Sequence, residues 1–485
     1  MISFNGIPVG IRTPGAFIEI DATRATQGLP PASHKILVIG QKLPTGTVAV
    51  NTPTRMLSVA QAEDAFGRGS MLAVMIAALK AANRTTDTFA IALDDDATGV
   101  AAAGAFDFTG SATGAGTLVL YVGGARLPVS VSVGMTAAQI AAAAATAING
   151  YTALPVSAIA NADRCAVAFR HKGAVGNDFD LRVNYGFGES LPPGVAVAIT
   201  PVTGGTENPG VGAAIAALGD DLYDTWVVPY LDAPNLTAIE SELERRWGPM
   251  VQREGQAFAG AAGTLATMTT LGNSRNSKHL TLVGAGMSPT PAWVVAAVTA
   301  AIDAAEPDPA RPRQTLALPG CLAPIESARP TREERDVLLH EGISTLRVDD
   351  GGVVRIERLI TTYQVNPQGD ADTSYLDIET MRTLAYVRTA VRQRIADRFP
   401  RHKLANDGTW FGPGQAVATP KLIRAELQQL FREMERAGLV ENFDQFKSDL
   451  IVERNANDPN RVDVLFPPDL INQLRVIAAQ VQFLL

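Results

Sequence analysis

Cysteine is nearly absent: Cys165 and Cys321 are the only two in 485 residues. They stand in different regions, without the paired spacing of a zinc site or the density of a secreted disulfide scaffold, and read as buried thiols of a chain that folds in the cytosol. Histidine is scarce as well. None of His34, His171, His279, His340 and His402 sits in a recognisable motif, and nucleophilic hydrolysis needs a base beside its nucleophile. No G-x-S-x-G elbow occurs, and Ser274 and Ser277, near His279, follow Gly272 and Asn273 in a turn-like stretch. Gly284-Ala-Gly286-Met-Ser-Pro follows a strand but lacks the third glycine and the lysine of a phosphate cradle. It reads as a strand-to-helix turn, with Pro289 and Pro291 opening the next helix. Asp94-Asp95-Asp96 lacks the glycine and closing glutamate of a calcium loop and reads as a solvated border loop. The expectation is no catalytic residue, no cofactor and no metal ligand.

Long apolar runs are missing too. The longest, residues 137–148 and 293–302, are alanine-rich and fall well short of the roughly 20 residues that cross a bilayer, so they read as packed helices and stable membrane insertion is not expected. The opening MISFNGIPVG has no basic segment followed by an apolar one, so no secretory signal is read there. Net charge is -8, which gives no overall field for phosphates. One basic cluster runs against that average: Arg382, Arg388, Arg392, Arg394, Arg398, Arg401 and Lys403. Two readings stay open, a solvated helix face favoured near the C-terminal end of the dipole and a surface docking on an acidic patch of another protein. No aromatic residues interleave as stacking platforms, so nucleic acid is not the expected partner.

What is present is a large apolar complement, 46% of 485 residues. One core stops growing at roughly 250–300 residues, so two to four domains are expected. Strands are read at residues 34–40 and 89–93 with helices at 58–66 and 70–82 between them, the second capped by Ser70. Residues 95–205 turn to Gly, Ala, Thr and Val, with short alternating strands at 104–108, 116–122, 126–133, 166–170, 180–185 and 195–200 and one helix at 136–149. An α/β rhythm resumes from 211: helices at 212–218, 235–248, from 264 and 291–305, and strands at 226–230, 257–262 and 280–284. From Thr331 a capped helix and a hairpin across Asp349-Asp350-Gly351-Gly352 are taken to begin a C-terminal domain, with helices at 374–399 and 419–437. The expected fold class is α/β plus α+β, multidomain. Its parts are arms at 1–20 and 471–485, an α/β domain split over 21–94 and 206–330, an inserted β-rich domain at 95–205 and a C-terminal domain at 331–470.

Both ends are apolar and β-prone: PGAFIEID near the start, RVIAAQVQFLL at the finish. An unpaired strand of that kind invites aggregation unless something pairs with it. Either each end folds back on its own sheet or it adds a strand to a neighbour's sheet edge.

The stretch ISFNGIPVGIRTPGAFIEID, followed by HKILVIGQ and FGRGSMLAVMIAALKAAN, resembles the start of Mu-like tail sheath proteins. The segments VRIERLITTYQVNPQGDADTSYLDIETMRTLAYVR, RFPRHKLANDG and NDPNRVDVLFPPDLINQLRVIAAQVQFLL are similar to that family's C-terminal domain. The resemblance implies a structural subunit of a contractile tail, made in the host cytoplasm and resident in the virion tail, with a subtilisin-like middle domain that has no working protease site. It implies a helical homopolymer of hexameric rings around a tail tube, with baseplate and tail terminator proteins as further partners, contracting for genome ejection. It also implies strand donation, assigned here to Phe17, Ile18 and Ile20 in one arm and Val476, Val481 and Phe483 in the other. The C-terminal domain would face the tube and the inserted domain the outside, with Arg388, Arg392 and Arg398 as candidates for subunit or tube docking. The alternatives are the sheath of a tailocin or secretion machine, and, from another class, an atypical hydrolase using Ser274 or Ser288 with His279 as base.

Overall fold

The computed structural model describes residues 29, 34–412 and 414–483. The contacts divide the chain into two units, the larger holding Ser33–Arg382 with Gln473–Leu485, the smaller Thr383–Asn472. Phe17, Ile18 and Ile20 lie outside the described residues.

In the larger unit β1 (Lys35–Gln41), β2 (Thr54–Met56), α1 (Val59–Phe66), α2 (Met71–Ala82) and β3 (Asp87–Leu93) come first. There follow β4 (Ala101–Gly110), β5 (Gly116–Val122), β6 (Ala125–Val131), α3 (Ala137–Gly150), β7 (Val156–Asn161), β8 (Arg164–Lys172), β9 (Leu181–Val183) and β10 (Val195–Thr203). The rhythm then alternates through α4 (Gly212–Ala217), β11 (Thr225–Val227), α5 (Ala233–Trp247), β12 (Gln256–Ala262), α6 (Leu265–Asn273), β13 (Leu280–Gly286) and α7 (Ala292–Ala305). It closes with α8 (Arg332–His340), β14 (Ile343–Val348) and β15 (Val354–Arg358).

Eight of these strands form one sheet in the order β15-β14-β13-β12-β11-β1-β3-β2, parallel from β14 to β3 and antiparallel at both edges. Ile36, Leu37, Val38 and Ile39 are all fully buried, as expected of a parallel strand covered on both faces. The alanine-rich α7 is almost wholly buried, and its close approach depends on Gly260: a Cβ there would meet the Ala292 carbonyl oxygen at 1.9 Å. Side-chain caps set the helix starts, Ser58 and Ser70 on α1 and α2, Asp232 on α5, Thr264 on α6 and a Thr331–Glu334 capping box on α8. The stretch between β3 and α4 builds two antiparallel sheets, β10-β4-β8-β7 and β6-β5-β9, with α3 against them. Strand β7, VSAIAN, was not expected, because it is short and its apolar residues do not alternate with burial: Val156 and Ala158 are buried, whereas Ile159 is exposed.

The structure moves one boundary. The reading that starts a separate domain at Thr331 is corrected: β14 joins the large sheet beside β13, through Leu282↔Ile343 and Val283↔Ser344. The division by contacts falls between Arg382 and Thr383, within α9 (Ile378–Arg398). A capped helix and hairpin form a locally complete pattern, and only the long-range pairing shows which sheet they join.

After α9 the smaller unit contains β16 (Lys403–Leu404), β17 (Val417–Ala418), α10 (Pro420–Arg436), β18 (Val440–Glu441), α11 (Phe443–Asp449), β19 (Ile451–Arg454), β20 (Val462–Leu465) and β21 (Asp469–Leu470). Its core is the apolar face of α10, where Ile423, Leu427, Leu430, Phe431 and Met434 are buried. Phe431 stacks on Phe446 at 4.0 Å between ring centres. Gly438, at φ +73°, ends the helix in the left-handed conformation that glycine adopts without strain.

Candidate assembly site

The last described residues begin with a strand's pattern, and past Ile471, whose N–H donates to the Leu439 carbonyl at 3.2 Å, they belong to none of the described sheets. Exposure alternates, with Ile471, Gln473 and Arg475 half-buried and Asn472, Leu474 and Val476 exposed, the period of two of an extended chain. Beyond Arg475 the alternation stops. Val476 is 80% exposed, Ile477 78%, Val481 87% and Phe483 78%. Burying side chains of this size is worth about 1.5–3 kcal/mol each, so the segment is an apolar surface with nothing described against it.

The root of this segment is fixed by charge. Arg475 Nη2 donates to Glu379 Oε2 at 2.8 Å and to Asp377 Oδ1 at 3.1 Å, and Nη1 reaches Gln314 Oε1 at 3.4 Å. Asp377 also takes a two-point bond from Arg358, both distances 2.9 Å. The Glu379 side chain has no exposed surface. Burial pushes its carboxyl above the ordinary range, and Arg475 opposes that rise. Glu379 accepts the Arg313 backbone N–H at 3.0 Å, and the Arg313 guanidinium donates to Asp303 at 2.9 Å. Asp303 also holds Arg382, at 2.6 and 3.1 Å, and Arg382 continues to Thr225 Oγ1 and the Asp224 carbonyl. Burial alone would raise the Asp303 pKa; Arg382 and Arg313 overcome it and hold the carboxyl at about 2. Sequence reasoning missed this network. Its one local signal was a lone arginine in an apolar terminal run.

In the smaller unit β19 and β20 form a two-stranded hairpin, Ile451 opposite Leu465 and Val452 opposite Val464. Val452 is buried, whereas Ile451, Val464 and Leu465 are exposed at 47%, 42% and 56%. A two-stranded sheet is marginal by itself, and among the described residues no third strand joins either edge. The basic cluster does not form one open face. Arg382 and Arg394 are buried, Arg394 paired with Glu433, and Arg398 lies 3.4 Å from Glu426. Arg392 is exposed and Arg388 half-buried.

The residues of the hydrolase alternative are not brought together. The Ser274 hydroxyl donates to the Leu271 carbonyl and the Ser288 hydroxyl to the Leu322 carbonyl, each at 2.6 Å. His279 Nε2 faces Glu244 Oε2 at 3.1 Å. Among the described residues no group of three His, Cys, Asp or Glu side chains is placed to hold a metal, and no helix is long and apolar enough to cross a membrane.

Residues 204–362 match the family model described as the phage tail sheath protein central domain, and residues 370–484 match the phage tail sheath C-terminal domain. The Mu-like prophage FluMu tail sheath protein of Haemophilus influenzae is 43% identical over 486 residues, covering 100% of each chain. Among solved structures, the sheath tail protein of Listeria innocua aligns over 93% of this chain and 95% of its own, with a TM-score of 0.51 and 13% identity, a likeness of fold alone.

Proposed function

The chain belongs to the tail sheath family of Mu-like phages, and from that premise we propose that its subunits are linked by exchanged terminal strands. It is a structural subunit of a contractile phage tail, and so a component of the virion tail. The exposed segment 476–483, with Val476, Val481 and Phe483 as its apolar contacts, adds to the β19–β20 hairpin of a neighbouring subunit. Phe17, Ile18 and Ile20 supply a second strand from the other end. The observation that carries this reading is the presence of two incomplete surfaces, an apolar terminal segment outside any described sheet and a two-stranded sheet with apolar residues exposed. Strand addition supplies main-chain hydrogen bonds for linkage and side-chain pockets for register.

On this reading the subunits form a helical polymer of hexameric rings around the tail tube, ending at the baseplate and at the tail terminator. The linked strands hold while the bodies move rigidly from a long, metastable lattice to a shorter, wider one, a rearrangement that needs no hydrolysis. Arg388, Arg392 and Arg398 are the candidates for docking a subunit or the tube, Arg398 lying 3.4 Å from Glu426. The inserted sheets of residues 95–205 lie outward. The large parallel sheet is read as a subtilisin-like layer without protease chemistry, a reading supported by the hydroxyls of Ser274 and Ser288 being spent on carbonyls. Electron microscopy of the purified protein at high concentration, with and without its tail tube, tests the proposal. Hollow striated cylinders are expected; dispersed monomers under both conditions would count against it.

A further inference from the structure

A donated strand has to be loose at its tip and fixed at its root, because the point where it leaves the body sets which residues reach the neighbour. From Val476 to Phe483 the chain can extend about 26 Å, at roughly 3.3 Å per residue, so a slip of one residue at the root would present the opposite face to the acceptor. The root is where the structure concentrates charge. A single nitrogen, Arg475 Nη2, takes both Glu379 at 2.8 Å and Asp377 at 3.1 Å, while Leu474 and Val476 on either side are exposed. Glu379 has no exposed surface, and a carboxylate buried so deeply is costly unless a counterion reaches it. Arg475 brings that counterion from the arm itself. Asp377 is oriented independently by the two bonds from Arg358, so the receptor for Arg475 is built whether or not the arm is engaged elsewhere.

We infer that Arg475, held between Asp377 and Glu379, is the positioning residue that fixes the exit point and register of the C-terminal strand during assembly. This rests on the strand-donation reading and adds to it a named anchor. The anchor ties the arm to the body of its own subunit, so the pull of a neighbour on the strand is delivered to the start of α9 and to the Asp303 network rather than to a floppy tail.

The test uses the full-length protein in three variants, with assembly followed by sedimentation and electron microscopy and with amide hydrogen exchange read over residues 471–477. Arg475→Gln should raise the concentration needed for assembly roughly tenfold, the equivalent of losing one charge-assisted hydrogen bond, and should speed exchange at the root. Arg475→Lys should recover most of the wild-type behaviour, because one nitrogen serves both carboxylates. The double variant Arg475→Gln/Glu379→Gln removes the unpaired buried charge, so it should regain any monomer stability lost by the single variant and still assemble poorly. If Arg475→Gln assembles at the wild-type concentration with wild-type exchange, the anchor is wrong. Deleting residues 476–485 separates the two ideas: normal assembly of that deletion would overturn strand donation itself, whereas its failure beside a normal Arg475→Gln would overturn the anchor alone.

Discussion

Asp303 has a fully buried carboxylate and two arginines within hydrogen-bond distance, Arg313 at 2.9 Å and Arg382 at 2.6 Å. Removing one partner of such a group leaves the others buried without compensation, which typically costs about 3–5 kcal/mol. Asp303→Asn should therefore lower the stability of the larger unit by that order, measured by urea unfolding at neutral pH. The pH dependence follows from the depressed pKa. With a folded value of about 2 against an ordinary 3.8, the carboxylate's contribution is fully present above about pH 4 and lost as pH falls through 2, where wild type and Asp303→Asn should converge. Gly260 makes a second point at this scale. A methyl group 1.9 Å from the Ala292 carbonyl oxygen cannot be accommodated without moving α7 off the sheet, so Gly260→Ala should cost about 1–3 kcal/mol or more by the same assay. Neither residue announces itself in the sequence. Asp303 meets Arg382 across 79 positions, and Gly260 looks like any small residue in a strand.

At the scale of elements, what the sequence made legible is what it encodes locally. The caps read at Ser70 and Thr331 marked the starts of α2 and α8 to the residue, because a cap satisfies amides of its own first turn, and the structure adds caps at Ser58, Asp232, Thr264 and Thr419. Thr331→Ala should cost about 1 kcal/mol through loss of the box with Glu334, seen as a lower melting temperature. The α8 and β14–β15 pattern was read correctly as helix and hairpin and placed in the wrong domain, since nothing between Thr331 and Arg358 specifies the pairing of β14 with β13. The site was legible in part. The apolar character of the C-terminal run was visible in the sequence, whereas the partners of Arg475 at its root, Asp377 and Glu379, lie some hundred residues earlier. The basic cluster shows the converse, a run of like charges that folding divides between buried pairs and surface. On the hairpin, Leu465→Lys should leave the monomer within about 0.5 kcal/mol of wild type, as exposed substitutions usually do, and should abolish polymer formation seen by microscopy.

At the scale of the whole molecule, the account holds that a sheath subunit is stable by itself and unfinished at its ends. Its large sheet is buried on both faces along β1 and most of its long helices begin on side-chain caps, whereas the terminal segment places four large apolar side chains, Val476, Ile477, Val481 and Phe483, in the open within eight residues. On the proposed strand exchange, assembly would complete both at once, and the links would persist while the polymer changes shape. The measurement that tests this most directly is a high-resolution electron cryomicroscopy map of the assembled sheath, traced through residues 471–483. The account predicts continuous main-chain density for 476–483 as an added strand beside Ile451–Arg454 or Val462–Leu465 of a neighbouring subunit, with Arg475 still between Asp377 and Glu379 of its own. A segment folded back onto its own subunit, or left in solvent in the polymer, would contradict it.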